Sequence, residues 1–101
     1  MTGFAVNGAA GRMGRRIAAL ISERKDCKLV CALERPDHPD QGKDAGLLAG
    51  VGELGVRLRD RIEGRPDVLL DFSAPESCVA RALECARLGT AVVIGTTTMS
   101  S

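Results

Sequence analysis

With 101 residues, 45% of them apolar and 27% charged, the chain has the balance of one compact globular domain, not that of a disordered or lipid-embedded polypeptide. Its 14 Lys and Arg against 13 Asp and Glu leave a net charge of +1, with the basic residues scattered, which argues against a nucleic-acid partner. No apolar run reaches bilayer-spanning length and Met1 to Val6 lacks the features of a secretory leader, so a cytoplasmic location with no membrane partner is expected.

Gly3 to Asn7 reads as a short buried strand, because Phe4, Ala5 and Val6 are apolar and a glycine cluster follows at once. The period then becomes helical: Met13, Ile17, Leu20 and Ile21 form one apolar stripe, with Arg15, Arg16, Glu23, Arg24 and Lys25 on the remainder. Cys27 to Leu33 is a second strand, apolar enough to be buried on both faces, and Glu34 ends it. Pro36, Pro39 and the glycines from Gly42 to Gly55 punctuate a turn-rich connection, in which Leu47 to Ala49 is assigned one helical turn and Val56 to Leu58 a short strand. Asp67 to Phe72 is the next strand, and Ser73, Ala74 and Pro75 make a helix entry with Asp71 placed to cap it. Val79, Ala82, Leu83 and Ala86 mark Glu76 to Leu88 as a second amphipathic helix, closed by Gly89 as a left-handed cap. Thr90 to Ile94 is the last strand, and Gly95 to Thr98 the polar turn at its carboxyl end.

Strands alternating with helices at this spacing predict an α/β fold, a doubly wound parallel sheet joined by right-handed crossovers. In such sheets ligands collect outside the carboxyl ends of the strands, where Gly8 to Gly14, Glu34, Phe72 to Ala74 and Gly95 to Thr97 would all emerge.

The segment Gly8, Ala9, Ala10, Gly11, Arg12, Met13, Gly14 has the spacing GxxGxxG, a variant of the dinucleotide fingerprint with the middle glycine one place later. A pyrophosphate must come close enough to the first helical turn to take hydrogen bonds from free N–H groups at the positive end of the helix dipole. A Cβ at Gly8 or Gly11 would obstruct that approach, one at Gly14 would push the helix away, and Arg12 adds a mobile positive charge. An ordinary strand-to-helix turn also uses glycine; the acidic Glu34 at the end of the next strand, about twenty residues on, tips the balance toward a nucleotide. Glu34 is placed to accept from adenosine ribose hydroxyls, its competing reading being a solvated strand-end carboxylate. Arg35 can pair with a 2′-phosphate through parallel hydrogen bonds, so the pair suggests tolerance of NADH and NADPH, with a surface ion pair the competing reading for Arg35. Gly95, Thr96 and Thr97 offer a close backbone approach and two hydroxyls for a carboxamide or ribose, where a plain polar turn is the alternative.

No metal site is expected. Cys27, Cys31, Cys78 and Cys85 match neither a CxxC pair nor a zinc knuckle and read as reduced, buried thiols, and the lone His38 reads as a solvated loop residue.

The loop GAAGRMG at Gly8 to Gly14, ALER at Ala32 to Arg35, DAG at Asp44 to Gly46, DFSAP at Asp71 to Pro75 and VVIGTT at Val92 to Thr97 together resemble the 4-hydroxy-tetrahydrodipicolinate reductases, also called dihydrodipicolinate reductases. The resemblance covers essentially the whole chain. It implies an amino-terminal Rossmann-like, dinucleotide-binding domain over 1–101, with pyrophosphate on Gly8, Ala9, Ala10, Gly11, Arg12 and Met13, adenosine ribose at Glu34, an NADP 2′-phosphate at Arg35, and nicotinamide beside Gly95, Thr96 and Thr97. It implies reduction of a cyclic dicarboxylate substrate by hydride from NADH or NADPH, in lysine and diaminopimelate biosynthesis, by a cytoplasmic homotetramer.

Two departures accompany it. Thr98 stands where the family continues with glycine, and the chain stops at Ser101, before the family's His-rich catalytic segment, its substrate lysine and its tetramer-forming sheet. No catalytic residue is therefore expected in this chain, and His38 lies in the wrong segment to serve. The expected role is the cofactor-binding part of the enzyme; the alternatives are a stand-alone, non-catalytic NAD(P)-binding module and another Rossmann oxidoreductase.

Overall fold

A computed structural model describes residues 2–71 and 89–94 of the chain. The expected helix over Glu76 to Leu88, the segment Phe72 to Pro75 and the turn Gly95 to Thr98 lie outside the described residues. Five strands form one sheet: β1 (Thr2–Asn7), β2 (Cys27–Leu33), β3 (Leu58–Arg59), β4 (Val68–Asp71) and β5 (Ala91–Ile94), in the order β3-β2-β1-β4-β5. Every neighbouring pair is parallel. The chain moves outward from β1 through β2 to β3, then crosses back to place β4 on the other side of β1. This is the doubly wound order, with its switch point between β1 and β4.

β1 and β2 sit where the sequence pattern put them, and for the expected reason: Val6, Ala32 and Leu33 have no exposed surface. Alternation separates Ala32 from Cys31 and Leu33, while Leu29 shares the face of Ala32. An irregularity in the β1–β2 register, where Phe4 pairs with Leu29 but Ala5 with Cys31, places Val30 on the same face as Cys31. Cys31 is buried in that second face, as expected, packed with Ala5, Leu33 and Leu69. Cys78 and Cys85 are outside the described residues.

The first face is covered by α1 (Arg12–Glu23) and α2 (Ala45–Ala49), which pack Ala18, Ile21 and Ala45 against Val6, Leu29 and Leu58. The buried stripe of α1 differs from the expected one. Gly14, Ala18 and Ile21 are buried and Ile17 packs behind them, whereas Met13 and Leu20 are 52% and 50% exposed. Small residues at 14 and 18 let the helix lie close to the sheet, and that close approach rolls the bulky Met13 and Leu20 toward solvent. Periodicity weighs residues by hydrophobicity, and it ranked the glycine last.

The turn-rich connection contains more order than its composition suggests. α2 begins at Ala45, two residues before the single turn expected at Leu47 to Ala49, because the buried carboxylate of Asp44 caps it. Gly50 ends it in the left-handed region, φ 79°, donating to the carbonyls of Gly46 and Leu47. The strand expected at Val56 to Leu58 is divided: Arg57 bridges antiparallel to Asp44, and only Leu58–Arg59 joins the sheet beside Ala32 and Leu33. Gly89 has the expected positive φ of 73°, and β5 covers Ala91 to Ile94 of the expected Thr90 to Ile94. No helix among the described residues is long and apolar enough to cross a membrane.

Candidate functional site

The strand register decides where the loops meet. Asn7 pairs with Leu33 on one side and with Asp71 on the other, and Asp71 pairs with Ile94, so four strands end in a single row. Gly8 and Glu34 therefore leave the sheet side by side.

The loop after β1 turns at Gly8, whose φ of 82° is a conformation that glycine adopts without strain. Gly8 and Ala9 both donate their N–H groups to the carbonyl of Leu33, at 2.9 and 3.1 Å, which fastens the loop to the end of β2. Gly11 N–H returns to Gly8 O at 3.0 Å, and Ala10 N–H donates to Glu34 Oε2 at 3.0 Å. Four successive loop amides are thus satisfied within the protein. The next amides, those of Arg12, Met13 and Gly14, are the ones that helix geometry leaves without an intrahelical acceptor. Gly11 supplies no side-chain cap, and the first turn carries no acidic residue. An anion at this point would meet donors and the positive end of a 12-residue helix together.

Gly14 is required by contact. A Cβ there would run into the Gly8 carbonyl and stand 2.8 Å from Ala9 Cα, all of it backbone. The expected role of Gly14 in letting the helix approach is thus seen, with the obstacle being the loop itself. Gly11 is different: a Cβ would meet only Gly8 O, at 3.3 Å. Its need for glycine, if a ligand sits here, comes from the ligand side. Arg12 and Met13 are exposed and, with Arg16, line a hollow of about 130 Å³ beside the loop. A larger open concavity of about 420 Å³ lies by Ser22, Cys27 and Lys28, at the opposite end of β2, away from these loops.

Glu34 is half-buried and does two things: Oε2 holds Ala10 N–H, and Oε1 lies 3.4 Å from Arg35 N. Its remaining lone pairs are open to further donors. Arg35 is exposed and its Nε pairs with Asp37 Oδ1 at 3.1 Å. Gln41, which the sequence reading passed over, donates from Nε2 to the carbonyls of both Glu34 and Arg35, each at 3.0 Å. His38 accepts at Nδ1 from Asp40 N–H, a local turn contact within that connection.

Two further carboxylates support the rim from beneath. Asp71, fully buried at the end of β4, accepts from Asn7 Nδ2 at 3.3 Å across the switch point. Asp44 accepts from the amides of Gly46, Leu47, Leu54 and Gly55. Burial would raise its pKa, but the four backbone donors outweigh that and hold the carboxyl below its ordinary range. The motif DAG thereby has a physical reading: Asp44 gathers the amides, Ala45 is buried, and a Cβ on Gly46 would strike Gly52 O and Leu54. Gly95, Thr96 and Thr97 lie outside the described residues.

Residues 2–101 match the family model described as dihydrodipicolinate reductase, N-terminus. The chain is 44% identical over 104 residues to the 4-hydroxy-tetrahydrodipicolinate reductase of Methanocaldococcus jannaschii, aligning 96% of the chain and 38% of that protein. It is 48% identical over 101 residues to the reductase of the same name from Geotalea daltonii, again covering 96% of the chain and 38% of the relative. The chain thus spans under two-fifths of the relatives' length. Among solved structures, a dipicolinate-bound dihydrodipicolinate reductase from Paenisporosarcina sp. TG-14 superposes with a TM-score of 0.72 at 24% identity, over all of the chain and 39% of that protein. At that identity the likeness speaks for the fold.

Proposed function

The chain belongs to the dihydrodipicolinate reductase family, and from this premise we propose that it provides the nicotinamide-dinucleotide site of an enzyme reducing 4-hydroxy-tetrahydrodipicolinate to tetrahydrodipicolinate, in lysine and diaminopimelate biosynthesis. One observation carries the reading: the uncapped start of α1 faces a loop whose own amides are already bonded, beside a carboxylate at the end of β2. That combination fits a pyrophosphate on the helix amides with an adenosine ribose at Glu34.

In this reading Gly8 and Gly14 shape the turn, and Ala9, Ala10 and Gly11 keep it flat. The N–H groups of Arg12 and Met13 take the pyrophosphate, and the Arg12 guanidinium neutralises it. Glu34 accepts from the ribose hydroxyls, and Arg35 is the group able to reach a 2′-phosphate. Gly95, Thr96 and Thr97 attend the nicotinamide half. When bound, NADH or NADPH supplies the hydride. The protein's task is to hold the reduced ring against a cyclic dicarboxylate and to furnish a proton donor, which needs residues beyond this chain's site. The whole enzyme is proposed to be cytoplasmic and homotetrameric, as in the family.

Titration of the chain with NADH, followed by nicotinamide fluorescence, tests the reading: binding is expected without turnover of the cyclic substrate. Absence of binding to either cofactor would refute it, and steady turnover would refute the division of labour.

A further inference from the structure

Resting on the dinucleotide reading, we propose that Asp37 is a specificity-determining residue, which withholds Arg35 from a 2′-phosphate and so biases the site toward NADH. Arg35 is the cation nearest in sequence to the ribose reader, and it is already engaged: its Nε lies 3.1 Å from Asp37 Oδ1. The turn that creates the pair is well fixed. His38 N–H donates to Arg35 O at 3.0 Å, and Gln41 N–H to His38 O at 3.1 Å. Gln41 uses both hydrogens of its side-chain amide on the carbonyls of Glu34 and Arg35. The backbone that carries Arg35 and the backbone that carries Asp37 are therefore held in one geometry.

The charges around the turn point the same way. Asp40 is matched by Lys43 at 2.9 Å. Asp37 neutralises Arg35, and Glu34, whose carboxylate is tied to Ala10 N–H, stays uncompensated by any ion pair among the described residues. A 2′-phosphate, carrying nearly two negative charges, would meet Glu34 and Asp37 and would have to take Arg35 from the latter. The unphosphorylated ribose asks only for an acceptor, which Glu34 is. Both partners of the pair are largely exposed, with side chains 64% and 83% accessible, so the effect is modest and salt-sensitive.

The test is a titration of the full-length protein with NADH and with NADPH at low and high salt. Wild-type protein should prefer NADH. Asp37→Asn should tighten NADPH by about two- to fivefold and leave NADH within about 1.5-fold, with the change in ratio shrinking as salt is raised. Asp37→Glu, which keeps the charge, should behave as wild type. Asp26→Asn, which breaks a similar exposed pair with Arg24 before β2, should move neither affinity. An unchanged ratio in Asp37→Asn, or equal shifts for both cofactors, would overturn the proposal and leave the dinucleotide site standing. Wild-type protein that binds neither cofactor would overturn both.

Discussion

Replacing Gly14 by alanine should separate the architecture of the loop from its chemistry when compared with the same change at Gly11. At Gly14 the new methyl would stand 2.8 Å from Ala9 Cα and 2.9 Å from the Gly8 carbonyl carbon. Carbon atoms pack at about 3.5 to 4.0 Å, so α1 and the loop must separate by roughly 1 Å. Such overpacking costs about 1–3 kcal/mol, offset by about 1 kcal/mol from the better helix propensity of alanine. A shift of that size also lengthens hydrogen bonds from the helix start to a bound phosphate beyond useful range. Losing one charge-assisted bond is worth about 1.5–3 kcal/mol, or roughly a 10- to 150-fold loss of NADH affinity. At Gly11 the backbone is extended at φ −75°, and its methyl meets only one oxygen at 3.3 Å. That variant should lose under about 1 kcal/mol of stability yet still lose NADH, because its methyl enters the space assigned to the pyrophosphate. Urea unfolding and nicotinamide fluorescence read the two quantities. Full-affinity binding by Gly11→Ala would remove the pyrophosphate from this corner.

Three other outcomes follow. Glu34→Gln keeps an oxygen for Ala10 N–H but gives up the charge at the ribose, so it should weaken NADH by about tenfold and NADPH less; Glu34→Ala also frees the loop amide and should weaken both in the same titration, and equal losses in Glu34→Gln would remove Glu34 from the ribose. Asp44→Asn puts an amide NH₂ where an oxygen now accepts and should destabilise the fold by about 1–3 kcal/mol at neutral pH. Because the Asp44 pKa is lowered on folding, its contribution is whole above the unfolded value of about 3.9 and disappears as pH falls through the lower folded value, so acid titration by circular dichroism should show wild type and variant converging below about pH 4. Gln41→Glu sets a carboxylate against two carbonyl oxygens and should loosen the turn after Glu34, seen as faster amide hydrogen exchange at 34–41 with the β1–β4 pairing unaffected; unchanged exchange there would deny Gln41 its clamp.

The strands, α1 and the shared rim were legible in the sequence because each rests on a local rule: apolar runs, a helical period, and glycines where period changes. Three features lay beyond such rules. The buried face of α1 depends on how near Gly14 comes to Ala9, a distance that hydrophobicity cannot rank. The order in the glycine-rich connection comes from a single carboxylate, Asp44, whose amide partners Leu54 and Gly55 are distant in sequence. Gln41 was invisible because nothing about a glutamine in a polar turn announces that both its hydrogens face carbonyls of the preceding strand end.

Those hidden contacts bear on how the site would bind. An isolated glycine loop would lose much conformational freedom on closing around a pyrophosphate, since glycine has the most to lose. Here that ordering is complete before any ligand arrives: Leu33 O takes two loop amides, Gly8 O a third and Glu34 a fourth. The amides at the start of α1 are the ones left for a ligand. Because Glu34 is at once the loop's fourth acceptor and the proposed ribose reader, the nucleoside end and the diphosphate end of a dinucleotide would be gripped by one rigid unit. A ligand offering either end alone should then bind with little reorganisation, and joining the two ends should gain affinity chiefly through linkage rather than through new contacts.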